Sequence, residues 1–163
     1  MPDPATPPSP RAQPCAPALR EVTRVRVIYG DTDQMGVVYY ANYLRYFEAA
    51  RNEYLRTAGA SYRRFEETHD LFLPVVKAHV EYHRPARYDD ELRVLATVEG
   101  AGAASARFWY QIRRAPGTPA AIGDDGQGEL LVSGYTVHAC VTRAGKPVRL
   151  PPEMRAALGI PAA

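Results

Sequence analysis

The apolar positions of this chain change period twice, and the changes outline a fold. Val25, Val27 and Tyr29 alternate with Arg24 and Arg26, which predicts a first strand. Gly30 and Gly36 bracket a break. Tyr43, Phe47, Ala50 and Tyr54 then recur at i, i+4, i+7 and i+11, one face of a helix. Leu44, Tyr46, Leu55 and Ala58 widen that face, Arg45, Glu48, Asn52 and Arg56 form the polar stripe, and Gly59 supplies a stop. A helix of about fifteen residues with so broad an apolar arc belongs inside a protein rather than on its surface. A short amphipathic piece is predicted over 61–68. From there the period is two. Val76, Ala78, Val80 and Tyr82 are expected on one buried face, as are Leu92, Val94, Ala96 and Val98, then Ala106, Phe108, Tyr110 and Ile112, then Tyr135, Val137, Ala139 and Val141. Short connections make these strands antiparallel. The order is β-α-β-β-β-β, an α+β chain. One sheet with one apolar face and one broad apolar helix pack by curling the sheet around the helix. A further short helix is expected near 152–158.

Length and composition narrow the classes. The chain has 163 residues, 46% hydrophobic and 23% charged, which fits one globular domain. Residues 1–18 carry seven of the fifteen prolines and are expected to be a solvated tail. The folded domain is expected over 19–150, with 151–163 as a C-terminal tail. A long hairpin connection is expected from Ala115 to Gly128. No apolar run suits a membrane span. Twenty basic against eighteen acidic residues give +2, too balanced to argue for nucleic acid. Two cysteines, Cys15 and Cys140, make no disulfide framework and no zinc or redox motif. The start of the chain lacks a secretory pattern, so a cytoplasmic protein is expected.

Candidate chemistry concentrates at residues 27–43. Two carboxylates, Asp31 and Asp33, stand between a strand and a helix start, beside Gly30 and Gly36. A carboxylate facing the unpaired N–H groups of a helix N-terminus is a minimal kit for acyl chemistry, one part attacking or activating water and the other stabilising the oxyanion. The same residues also fit a plain Asx turn with a helix cap. A phosphatase-like D-x-D site fits worse, because it needs alternating β and α elements and this chain has only two lysines.

The run Tyr29-Gly30-Asp31-Thr32-Asp33-x-x-Gly36-Val37-Val38-Tyr39-x-x-Asn42-Tyr43-Leu44, followed by Phe47-Glu48-Ala49-Ala50-Arg51, resembles the hotdog-fold acyl-CoA thioesterases. More narrowly it is similar to the 4-hydroxybenzoyl-CoA thioesterase family and its Tol–Pal-associated branch. The run from Val80 to Leu92 resembles that branch too. The resemblance spans about 22–142 and implies an antiparallel sheet wrapped around one central helix, hydrolysis of an acyl-CoA to acid and CoA, and a homodimer or homotetramer with substrate between protomers. It assigns the catalytic carboxylate to Asp33, a supporting role to Asp31, and the carbonyl-polarising backbone N–H to Tyr40. Gly36, Val37, Val38 and Tyr39 are implied to border the substrate. Tyr40 stands where the Tol–Pal branch often has His. Gly102, Ala103 and Ala104 stand where the 4-hydroxybenzoyl enzyme has a basic run, which argues against that substrate. No cofactor or metal is called for. The alternative is a non-catalytic hotdog that binds acyl-CoA or acyl carrier protein, or serves an envelope complex; an intact Asp33 argues for the enzyme. A hotdog dehydratase would want a His near the helix start, and none lies between Gly30 and Leu55.

Other candidates have ordinary readings. Arg84 and Arg87, with Arg63 and Arg64, are candidates for CoA phosphates. His79 and His83, four residues apart on a strand, are too far apart for one metal and are expected to face solvent. His69 and His138 lack sequence partners, and Cys140 lacks an activating one. The stretch 100–105 reads as a hairpin loop rather than a dinucleotide loop, since no helix follows it.

Overall fold

The computed structural model of the protein describes residues 18–116 and 127–161. The central helix α1 (Asn42–Thr57) runs across a five-stranded antiparallel sheet of β1 (Arg20–Arg26), β3 (Val75–Tyr82), β4 (Glu91–Ala101), β5 (Ser105–Arg114) and β6 (Leu130–Ala139). The sheet order is β1-β4-β5-β6-β3. A small second sheet pairs β2 (Leu71–Phe72) with β7 (Val141–Thr142), next to helices α2 (Tyr62–His69) and α3 (Pro152–Ala157). Both short helices lie where the sequence predicts them. Ser61 caps α2, its hydroxyl accepting the Arg64 N–H. Gly59, at φ +78°, follows the end of α1. All of the predicted 1–18 tail but Ala18, and most of the 115–128 connection, lie outside the described residues. Among the described residues no helix is long and apolar enough to cross a membrane.

The core is the contact between α1 and the concave face of the sheet. Tyr43, Phe47, Ala50, Tyr54 and Leu55 are buried. Phe47 stacks on Tyr110 of β5 at 4.4 Å between ring centroids, and Tyr54 meets Phe108 edge-on at 5.8 Å. The predicted inner faces of β4 and β5 are buried in full. Tyr43 reaches Tyr82 of β3 at 5.7 Å, and the Arg20 guanidinium of β1 covers the Tyr54 ring at 4.2 Å. The helix is therefore gripped from one edge strand to the other.

Three expectations are corrected. The first is the parity of β6. Residues 131–134 are all buried, and from there the buried positions are Thr136 and His138, while Tyr135, Val137 and Ala139 lie on the outer face. Gly134 decides this register. A Cβ there would lie 2.2 Å from the His79 carbonyl oxygen and 3.1 Å from Phe47 Cε2, so only glycine lets the helix ring press so close. Thr136 and His138 enter the core because they find polar partners inside it, whereas Tyr135 sits outside under Arg107, at 3.8 Å. The second correction is β3. It lies at the sheet edge, a bulge at Val76 shifts its register against β6, and its residues are mostly exposed. The third is Tyr29, which is not in β1: the strand ends at Arg26 and Tyr29–Asp31 form a 3-10 turn.

His79 of β3 and His83, just past its end, have separate partners. His79 Nε2 lies 3.0 Å from Glu81, and His83 Nε2 lies 2.8 Å from the Ser133 hydroxyl. Cys140 is buried, and burial pushes its thiol above the ordinary range.

Gly134→Ala is expected to destabilise the fold by about 1–3 kcal/mol through overpacking. Gly100→Ala, where an added Cβ meets nothing within 4 Å, serves as the near-neutral comparison. Urea unfolding of the two variants checks this.

Candidate active site

Thr32 and Val38 pair across the turn 33–36. The Gly36 N–H donates to the Asp33 carbonyl and the Asp33 N–H to the Val37 carbonyl, each at 2.9 Å. Gly36 closes this turn at φ +72°, where a side chain would be strained. Asp33 Oδ1 accepts the Met35 N–H at 2.8 Å, an Asx turn. One carboxylate oxygen thus does the structural job that local sequence suggests. The other, Oδ2, has no partner among the described residues. Asp33 is half-buried.

Asp31 has a different environment. It is buried, its Oδ2 accepts the Ile28 N–H at 3.2 Å, and its Oδ1 lies 3.9 Å from Arg45. Its carbonyl accepts from the Tyr39 N–H at 2.8 Å and from Asn42 Nδ2 at 2.9 Å. Burial, and secondarily the Asp31 carboxylate beside it, holds the Tyr46 phenol well above its ordinary range. Asp31 therefore ties the turn to the start of α1.

That start has no side-chain cap; Ala41 occupies the cap position with helical φ and ψ. The N–H groups of Asn42 and Leu44 bend back onto the carbonyls of Tyr39 and Ala41. The N–H groups of Tyr40 and Ala41 have no acceptor among the described residues. They are orphan donors at the positive end of the helix dipole. Tyr82 at the end of β3 donates its hydroxyl to the Tyr40 carbonyl at 3.1 Å and so positions this residue. The Tyr39 and Tyr40 rings are 4.6 Å apart. The Tyr40 hydroxyl, and more weakly the Asp33 carboxylate, raise the Tyr39 phenol above its usual range.

The second sequence run holds the first in place. Asp90 Oδ2 accepts the Arg87 N–H at 2.7 Å and pairs with Arg114. Arg114 also reaches the Pro85 carbonyl at 3.0 Å and Glu129 at 3.1 Å. The loop 83–90 so braced presents Ala86 in two directions. Its carbonyl accepts the Val38 N–H at 2.8 Å, and its N–H donates to the Tyr43 hydroxyl at 3.1 Å. Val37 pairs with Arg87, and Tyr29 stacks on Tyr88 at 3.8 Å.

The structure thus brings Gly36, Val37 and Tyr39 beside Asp33, and Arg87 beside Val37. Val38 is there by its backbone; its side chain is in the core. Arg84 is exposed and lies 3.8 Å from Glu129. Arg63 and Arg64 lie apart on α2, Arg63 paired with Glu67 at 2.9 Å. Sequence reasoning did not single out Tyr82, Ala86 or Asp90 as positioning groups, although all three stand in the second run.

It also missed a cavity of about 520 Å³ between α1 and β3, walled by Leu44, Arg51, Val75, Ala78, Tyr110 and His138 among others. Arg51 is 6% exposed and His138 2%. Arg51 Nη1 lies 2.8 Å from His138 Nδ1 and 3.5 Å from the Leu73 carbonyl. His138 Nδ1 is 2.9 Å from that carbonyl, and Nε2 is 2.8 Å from Thr136 Oγ1, which is 2.9 Å from the Tyr110 hydroxyl. Burial, opposed by the Leu73 carbonyl and aided by Arg51, pushes the His138 pKa down to about 4. The signal for this network was the shared parity of Thr136, His138 and Cys140 along β6.

Residues 27–158 match the family model described as the thioesterase-like superfamily. An acyl-CoA thioesterase of Haemophilus influenzae, YbgC, is 36% identical over 135 residues, which cover 82% of this chain and 90% of that protein. Among solved structures, protein TT1821 of Thermus thermophilus is 33% identical with a TM-score of 0.73, covering 86% of this chain and 98% of that one. Slr0204 of Synechocystis, a 1,4-dihydroxy-2-naphthoyl-CoA thioesterase, is 27% identical with a TM-score of 0.72, covering 84% and 93%.

The neutral state of His138 has a thermodynamic consequence. Its pKa falls from 6.5 in an unfolded chain to about 4 in the fold, so the unfolded chain takes up the proton first. The contribution is complete above about pH 6.5 and is lost as pH falls toward 4, about 3 kcal/mol in all. His138→Gln is expected to flatten the stability–pH curve over that window, measured by denaturant unfolding at a series of pH values.

Proposed function

The chain belongs to the thioesterase-like superfamily, and on that footing we propose that it hydrolyses acyl-CoA thioesters to the free acid and CoA. The Tyr40 N–H at the entry to α1 polarises the thioester carbonyl. Asp33 works through Oδ2, the oxygen its own turn leaves free. As general base it takes a proton from water while the oxygen of that water adds to the carbonyl carbon; the C–S bond then breaks and CoA leaves as thiolate. As nucleophile it adds to the carbon itself, expels the thiolate, and leaves a mixed anhydride for water to cleave. Gly36, Val37 and Tyr39 border the reacting group, and Arg84 and Arg87 are assigned to the CoA phosphates.

What carries this reading is the conjunction in one loop of a free carboxylate oxygen and an uncapped helix start with two unsatisfied N–H donors. The names of the relatives agree with the chemistry. Local capping accounts for Asp33 Oδ1 but gives no use for Oδ2. Asp33→Asn keeps the turn bond and removes the charge. It is expected to lower kcat by about a hundred- to ten-thousand-fold with the fold intact, measured by thiol release from acyl-CoAs. Undiminished turnover would refute the role. Oxygen-18 from labelled water appearing in Asp33 after one turnover selects the anhydride route.

The assembly follows from the sheet edge. Strand β3 has β6 on one side and leaves its other edge unpaired, with Val75, Val76 and Tyr82 at least half exposed. An edge so apolar is a template for pairing. We propose that two protomers join there, with the substrate between them, as the family resemblance implies. Light scattering at micromolar concentration is expected to give two or four times the 18.0 kDa chain mass; a monomer would refute a shared site.

A further inference from the structure

The polar network on the wall of the cavity between α1 and β3 has a donor to spare. His138 Nδ1 lies 2.8 Å from Arg51 Nη1, which only donates, and 2.9 Å from the Leu73 carbonyl, which only accepts, so the neutral imidazole serves one of them and not both. With the proton on Nδ1, the chain from Tyr110 through Thr136 to His138 Nε2 is complete and Arg51 loses its acceptor on the ring. With the proton on Nε2, Arg51 keeps that acceptor and one hydroxyl proton of Thr136 or Tyr110 is left over. Arg51 Nε–H also lacks a partner. Thr136 and Tyr110, at 5% and 1% exposed, are as deeply buried as Arg51. The Arg51 cation makes no ion pair among the described residues. Its nearest cover is the Tyr62 ring, with the guanidinium carbon 4.9 Å from the centroid. Glu48, one turn earlier on the same cavity wall, is exposed and unpaired with it. A buried cation without an anion is costly unless a ligand supplies one.

The place of this site relative to the reacting centre is legible on α1. Leu44, Glu48 and Arg51 follow at i, i+4 and i+7, a single stripe of α1, and all three line the cavity. Arg51 lies nine residues past the helix start, about 14 Å at 1.5 Å per residue. Resting on the hydrolase reading above, we propose that this cavity receives the far end of the acyl group and that Arg51 binds a carboxylate there. The substrate class is then acyl-CoA whose acyl chain ends in a carboxylate, a dicarboxylic acid held by one thioester.

The test pairs CoA thioesters of equal length: hexanoyl with adipoyl, octanoyl with suberoyl, decanoyl with sebacoyl. The carboxylated member is expected to have a kcat/KM higher by about tenfold or more at the length that fits, as a charge-assisted hydrogen bond warrants. Arg51→Met should lower kcat/KM for the carboxylated member by about tenfold more than for its plain partner, so that the ratio of the two falls to about one. Arg51→Lys should restore part of the preference. Because removing Arg51 could disturb folding, calorimetry on the unaltered protein provides a second measurement, with suberate expected to bind more tightly than octanoate. Plain chains turned over as well as carboxylated ones at every length, or suberate binding no better than octanoate, would overturn the proposal. If no acyl-CoA is hydrolysed, the hydrolase reading fails, and the suberate titration still decides the anion site.

Discussion

A helix with a broad apolar arc has to bury that arc, and its burial in α1 sets the rest of this structure. The sheet must curve to reach both sides of it, and it must let one ring in very close. Phe47 lies flat on Tyr110 and presses on the backbone of β6 at Gly134. That contact fixes which face of β6 turns inward, and so which polar side chains enter the core. His138 and Thr136 are there because the parity set by Gly134 leaves them no other place, and Arg51 meets them from the helix.

The same burial places the candidate site. A helix with one face buried still has to start somewhere, and α1 starts with no side chain to satisfy its first amides. Asp31 is spent on joining the turn to the helix, and the loop 83–90 is spent on holding the turn down. Asp33 alone keeps an oxygen uncommitted. The division of labour between two aspartates two residues apart is thus a difference of environment: one is buried and bonded through both its side chain and its backbone, the other half-buried and half-used.

Much of this was legible from residue order. The period of α1, the inner faces of β4 and β5, the two short helices and the turn between Gly30 and Gly36 all follow from local pattern, because local and tertiary preferences agree there. The inner face of β6 was not legible. Tyr135, Val137, Ala139 and Val141 are the more apolar set, and hydropathy puts them inside. The winning terms are non-local: the space beneath Phe47 and the hydrogen bonds that join His138, Thr136 and Tyr110 inside the core. Arg51 was hidden for the same reason, since a charged residue on a helix is ordinarily solvated. Tyr29 continues the alternation of β1, but the chain turns at Ile28, where the Asp31 carboxylate takes the backbone amide. The resemblance placed Asp33 and Tyr40; it could not tell what Asp90 does, because the reach of Arg114 across the loop appears only in three dimensions.

The double use of Ala86 has a consequence for motion. Its carbonyl anchors Val38 and its amide anchors on Tyr43, so turn, loop and helix are stitched at a single residue with two backbone bonds. Segments joined in this way open together or stay closed together. Solvent exchange at Val38 and at Ala86 should then share one rate, and a change in the far loop would be felt as looseness around the carboxylate without any altered contact to it.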